Sequence, residues 1–257
     1  MSSLDQDLPS LLLESKTLNN RAALFIEAGQ YRRAINNIVK AMKITEEIES
    51  HPTCSNIRGD CSLEECLDHS RKVSWFDSKF RDSLSKEHST TKSLSKAPAA
   101  TSAIDDFGGY IYRQPIRVPP RAMKEDYSMG LTLPLILTFN LALAYHLKAL
   151  KQEVVERKTL KKVLQLYELA YRWQMNAHEE ERVDSIQFTL IISNNLGEIH
   201  RVANNKAKHE RCLQHLLSTL MFVIDCQQTS DCAPIELDGF LRNTSRLFFR
   251  EQCAAAA

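Results

Sequence analysis

The chain has 257 residues, with 33 Lys and Arg against 32 Asp and Glu, 7 Gly and 8 Pro. A formal charge of +1 leaves no general attraction to nucleic acid or an anionic membrane, and the composition favours an all-α protein able to bury a sizeable core. Seven cysteines, an odd number in a chain that needs no staples, point to reduced thiols and a cytoplasmic or nuclear setting.

The first ten residues carry Asp5 and Asp7, where a secretory signal needs basic residues before an apolar run, so no export signal is expected. Ser10 is placed to cap a helix that runs through Leu11, Leu12 and Leu13 to Ala28. Ala28-Gly29 ends it, a second helix follows from about Tyr31 to Glu49, and His51-Pro52 ends that one, because the residue before a proline leaves the helical region. Small residues at Ala22, Ala34 and Ala41 interleave with Leu18, Phe25, Tyr31, Ile35 and Ile38. Closely crossing helices leave room only for Ala or Gly at the contact, with bulky residues filling the flanking grooves. Residues 10–50 therefore read as a helical hairpin.

Residues 51–105 lack a sustained period and read as a long, partly disordered insertion, net basic from Ser70 to Lys96. Ser74, Ser83, Ser85 and Ser95 are candidate phosphorylation sites beside basic residues, and Trp75, Phe76 and Phe80 are spaced for a short helix. His51, Cys54, Cys61, Cys66 and His69 supply metal-type ligands within one stretch. They form no Cys-x-x-Cys knuckle, so isolated cysteines in an acidic loop are the preferred reading and no metal is expected. A metal- or redox-responsive regulator is the alternative.

Residues 106–125 include GGYIYRQPIRVPP, whose proline density predicts an extended strap. It is expected to run across the outside of the helices. Residues 130–252 return to helical patterning. Leu131 to Leu150 is the most apolar stretch, but Asn140, Tyr145, His146 and Lys148 argue for a buried core helix rather than a membrane span. Ala142 stands there as Ala22 does in the first hairpin, and Tyr145 as Phe25 does. The partner helix offers Leu164, Tyr167, Ala170 and Tyr171. A third unit opens at Asn194-Asn195-Leu196-Gly197, with Cys212, Leu213, Leu216, Leu220 and Met221 on its second helix. From Pro234 a last helix presents Phe240, Leu241, Thr244, Leu247 and Phe248 in one stripe, suited to covering the end of a stack.

This grammar of small and large residues resembles the tetratricopeptide repeat (TPR), a helix-turn-helix unit of about 34 residues. LTFNLALAYHLKAL, LYELAYRW, NNLGEIHR and HLLSTLMFV are similar to a group of TPR-like proteins multiplied in diatom genomes. The resemblance implies stacked antiparallel helical hairpins, a TPR-like α-solenoid, and no particular activity or oligomeric state. Carrying the repeat's groove positions onto this chain selects Asn19, Ala23 and Ile26, then Phe139, Leu143 and His146, then Asn194, Glu198 and Arg201. Asparagine holds a peptide backbone through its paired donor and acceptor, or else ties neighbouring helices together; Arg201 suits a carboxylate or phosphate. Phe25, Tyr145 and Tyr167 read as core. There is no glycine-rich phosphate loop and no catalytic constellation, so no enzyme and no cofactor are expected. The expected function is a scaffold that binds a protein or peptide segment in its concave groove.

Overall fold

The computed structural model describes residues 3–49, 61–73, 109–124, 127, 129–152, 156–176, 185–229 and 237–255. Among them every regular element is helical: α1 (Ser3–Glu27), α2 (Tyr31–Glu49), α3 (residues 63–73), a short 3-10 turn (Pro120–Met123), α4 (Thr132–Leu150), α5 (Arg157–Asn176), α6 (Ile186–Val202), α7 (Lys206–Thr229) and α8 (Asp238–Ala255). α1 begins before Ser10 and contains Pro9, and α8 begins after Pro234 with Asp238 in its first turn.

The turns have local causes. Gly29 adopts φ +69°, which lets Gln30 N–H reach Phe25 O at 2.8 Å and Gly29 N–H reach Ile26 O at 3.0 Å. Asn204 repeats the device at φ 56°, with Asn205 N–H on His200 O at 2.8 Å. Glycine and asparagine enter the left-handed region at low cost, so both helices end there and the chain doubles back.

α1 packs most extensively on α2, α4 on α5 and α6 on α7, while α2 meets α4, α5 meets α6 and α7 meets α8. Ala22, Ala34, Ala41 and Ala142 are wholly buried, and a Cβ on Gly197 would lie 3.4 Å from the Cys212 Cβ of α7. Small residues thus sit at the close approaches, as their spacing predicts. Leu213, Leu216 and Leu220 face inward, but Met221, one step further round the helix, is 60 % exposed and does not belong to that stripe. α4 is long and apolar enough to cross a membrane, yet 83 % of it is buried within these helices.

Two expectations need correction. Part of the supposedly patternless insertion is α3, capped by Ser62, whose Oγ accepts Glu65 N–H at 3.3 Å. Leu63, Cys66, Leu67 and Ser70 form its buried face at helical spacing. The period is hidden in the sequence because cysteine, which packs as a small apolar residue, reads there as a ligand. The other correction concerns the strap. It does not cross the outside of the helices: Ile111, Tyr112, Pro115, Ile116, Val118 and Pro119 are buried between the other helices and α3. The remainder of the expected insertion, with Trp75, Phe76, Phe80 and the four serines, lies outside the described residues.

Candidate functional site

An asparagine stands two positions before the small residue in Asn20-Arg21-Ala22, Asn140-Leu141-Ala142 and Asn195-Leu196-Gly197, and again in Asn243-Thr244-Ser245 of α8. Two residues advance a helix by about 200°, so when the small residue faces the paired helix, the asparagine faces away from it. These four side chains meet the strap.

Each of the four binds one residue of the strap through both its donor and its acceptor. Tyr110 N–H donates to Asn243 Oδ1 at 2.8 Å and Asn243 Nδ2 returns to Tyr110 O at 2.7 Å. Tyr112 has the same pair of bonds with Asn195, at 2.9 and 3.1 Å. Ile116 has it with Asn140, at 2.9 and 2.7 Å, and Val118 with Asn20, both at 2.8 Å. In an extended chain the N–H and C=O of alternate residues point to opposite edges, so the clamps fall on even-numbered residues alone. Pro115 and Pro119 stand on the odd set, where their missing N–H groups remove nothing from the clamps. On the opposite edge Arg117 N–H donates to Ser70 Oγ at 2.7 Å and Gln114 Nε2 to Ser70 O at 2.5 Å, which ties α3 over the strap.

Asn19 and Asn194 combine the two roles that asparagine offered. Asn19 Nδ2 donates to Ile116 O at 3.1 Å and its Oδ1 accepts from Asn140 at 2.9 Å. Asn194 Nδ2 donates to Tyr110 O at 3.0 Å and its Oδ1 accepts from Asn243 at 2.7 Å. Glu198 Oε2 accepts Gly109 N–H at 3.1 Å and Arg201 Nε at 2.8 Å, so Arg201 meets a carboxylate of its own helix. Ile26, Phe139 and Leu143 lie in the hydrophobic core, where Phe139 packs edge-on against Phe188 at 5.4 Å between ring centres; Ala23 is wholly buried as well. The residues that sequence reasoning missed are Asn20, Asn140, Asn195 and Asn243. The recurrent asparagine, any residue, then Ala, Gly or Ser was the signal that marked them.

The even residue without an asparagine clamp is Gln114. His146 of α4 and Tyr167 of α5 form a buried pair linked to the Tyr112 clamp. Tyr167 OH accepts from Asn195 Nδ2 at 3.2 Å and lies 3.3 Å from His146 Nδ1. Burial, with a smaller contribution from the Arg113 charge, pushes the His146 pKa down to about 3, so the ring is neutral.

Where the strap meets α8 the fit is close. A Cβ on Gly239 would stand 2.4 Å from the Tyr110 ring, which packs edge-on against Phe240 at 5.3 Å between ring centres. Alanine normally stabilises a helix relative to glycine by about 1 kcal/mol. Here Gly239→Ala is expected to destabilise by about 2 kcal/mol through overpacking, and Tyr110→Ala is expected to remove most of that penalty in the double variant. Chemical denaturation of the four proteins measures the coupling; additive losses would contradict the contact.

Of the metal-type cluster, His51 and Cys54 lie outside the described residues. Cys61 and Cys66 are buried with their sulfurs 3.3 Å apart, a shared hydrogen bond that, together with burial, pushes the Cys66 thiol up. Their surroundings are helical packing rather than an acidic loop. Among the described residues no three His, Cys, Asp or Glu side chains converge on one point.

Comparison with protein-family models, with curated proteins and with solved structures found no match.

Proposed function

We propose that this protein is a TPR-like helical scaffold that holds an extended segment of another protein in the groove lined by α1, α4, α6 and α8. The observation that carries the reading is that all four asparagine clamps address main-chain atoms. A groove built this way accepts a polypeptide because it is extended, and side-chain pockets then choose among sequences. The pairing of α1 with α2, α4 with α5 and α6 with α7, closed by α8, supports the repeat assignment. The sites found here bind and orient main chain. That use of their side chains favours a binding protein.

Selection from a peptide-display library on the full-length chain tests this. The expected result is a family of enriched peptides with a common extended pattern, and loss of that enrichment in an Asn20→Ala, Asn195→Ala double variant whose helical circular dichroism is retained. Enrichment of the same peptides by both proteins would refute the groove.

A further inference from the structure

The groove assigned above is filled by residues 109–118 of the same chain, and its contacts specify what else fits there. Resting on that reading, we infer that the strap is a built-in occupant that competes with the partner, and that the partner is an extended protein segment sharing the strap's pattern. The pattern is two aromatic residues two apart, then, four residues on, two branched aliphatic residues two apart with a basic residue between them.

Each part of the pattern has a physical cause. The Tyr110 and Tyr112 rings both pack on Phe240, at 5.3 Å edge-on and 6.3 Å stacked between ring centres, so the α8 end of the groove takes aromatic residues. Ile116 and Val118 are wholly buried, and their β-branched side chains favour the extended backbone that the Asn140 and Asn20 clamps require. Between them Arg117 reaches back to α1, with Nη2 2.6 Å from Glu27 Oε2 and its side chain 6 % exposed; a lysine or arginine fits there and an acidic residue is repelled. Arg113 is exposed and touches no clamp, so that position carries no preference. Proline is admitted on the odd set alone, as at Pro115 and Pro119, because proline on the even set deletes a donor that an asparagine accepts.

The strap is also bound less uniformly than a structural strand. Its main-chain hydrogen bonds go to side chains of separate helices, with none to a neighbouring strand among the described residues, and no asparagine clamps Gln114. Such a segment can be exchanged for another that makes the same bonds, and the apparent affinity of the partner is then reduced by the fraction of molecules whose groove is filled.

A fluorescent peptide copying residues 107–120 provides the test. Its binding to full-length wild type is compared by anisotropy with that to Ile116→Pro, which deletes the donor to Asn140 in the strap, and to Tyr112→Ala, which keeps every clamp and removes a ring from Phe240. Both variants are expected to bind the peptide at least about tenfold more tightly than wild type. The same peptide with proline at the position of Ile116 is expected not to bind, and with proline at the position of Arg113 to bind unchanged. Equal affinity for wild type and variants would overturn the competition while leaving the groove intact. No binding to any of the three would overturn the groove reading itself. If Ile116→Pro does not fold, the Tyr112→Ala comparison decides alone.

Discussion

Asn140→Leu is expected to lower folding stability by about 3 kcal/mol and the Tm by roughly 6–12 °C. Leucine has the same branched shape and number of side-chain heavy atoms and suits an apolar helix, so a cavity or a propensity defect contributes little. The loss arises from polar groups. Asn140 is wholly buried; its Oδ1 accepts Ile116 N–H and its Nδ2 donates to both Ile116 O and Asn19 Oδ1. Ile116 O keeps its bond from Asn19, but Ile116 N–H and Asn19 Oδ1 lose the partner that Asn140 supplies. A buried polar group without a partner costs about 1–3 kcal/mol, and two are created. Asn37→Leu is the matched control, since Asn37 bonds only the Arg33 carbonyl of its own exposed turn and should change stability by less than about 0.5 kcal/mol. Urea denaturation of the three proteins gives the values; equal effects for Asn140 and Asn37 would contradict a clamp on Ile116.

Acid should weaken the wild-type fold through His146. In the native state its pKa stands near 3 against an ordinary 6.5, because burial disfavours the imidazolium. Between those values the unfolded chain binds a proton that the folded chain does not, so stability is at its full value above pH 6.5 and falls as pH drops toward 3. The slope approaches about 1.4 kcal/mol per pH unit over that window. His146→Gln keeps a polar side chain beside Tyr167 OH and cannot titrate. Its stability between pH 6.5 and 4 should therefore fall less than that of wild type by about 2–3 kcal/mol, which makes urea midpoints across that range the measurement. Parallel pH profiles for the two proteins would mean that the ring is solvated in the fold.

Much of the helical framework was legible because it follows from short-range rules. The left-handed turn at Gly29 needs a residue without a side-chain penalty, and the buried positions of Ala22, Ala142 and Gly197 need residues that let two helices touch. Both constraints act within one hairpin and leave a trace in spacing. α3 was missed for an equally local reason: its inward face is built from Leu63, Cys66, Leu67 and Ser70, of which the cysteine and serine resemble loop residues. At the third hairpin the turn at Asn204 carried a signal as plain as that at Gly29, since asparagine is the next residue to adopt φ 56°.

Local spacing by itself determined that helices form, where they turn and which faces approach one another, because those choices are made within a few residues. It also determined that residues 109–119 are extended, since proline forbids the helix. Where that segment lies was decided only by the tertiary structure. An extended backbone carries unpaired N–H and C=O groups that ordinarily keep it in water, which is why the outside was the natural expectation. Asn20, Asn140, Asn195 and Asn243 are far apart along the chain and come into line only when their helices pack side by side. Together they supply the partners that water would otherwise provide, and the strap is buried for that reason.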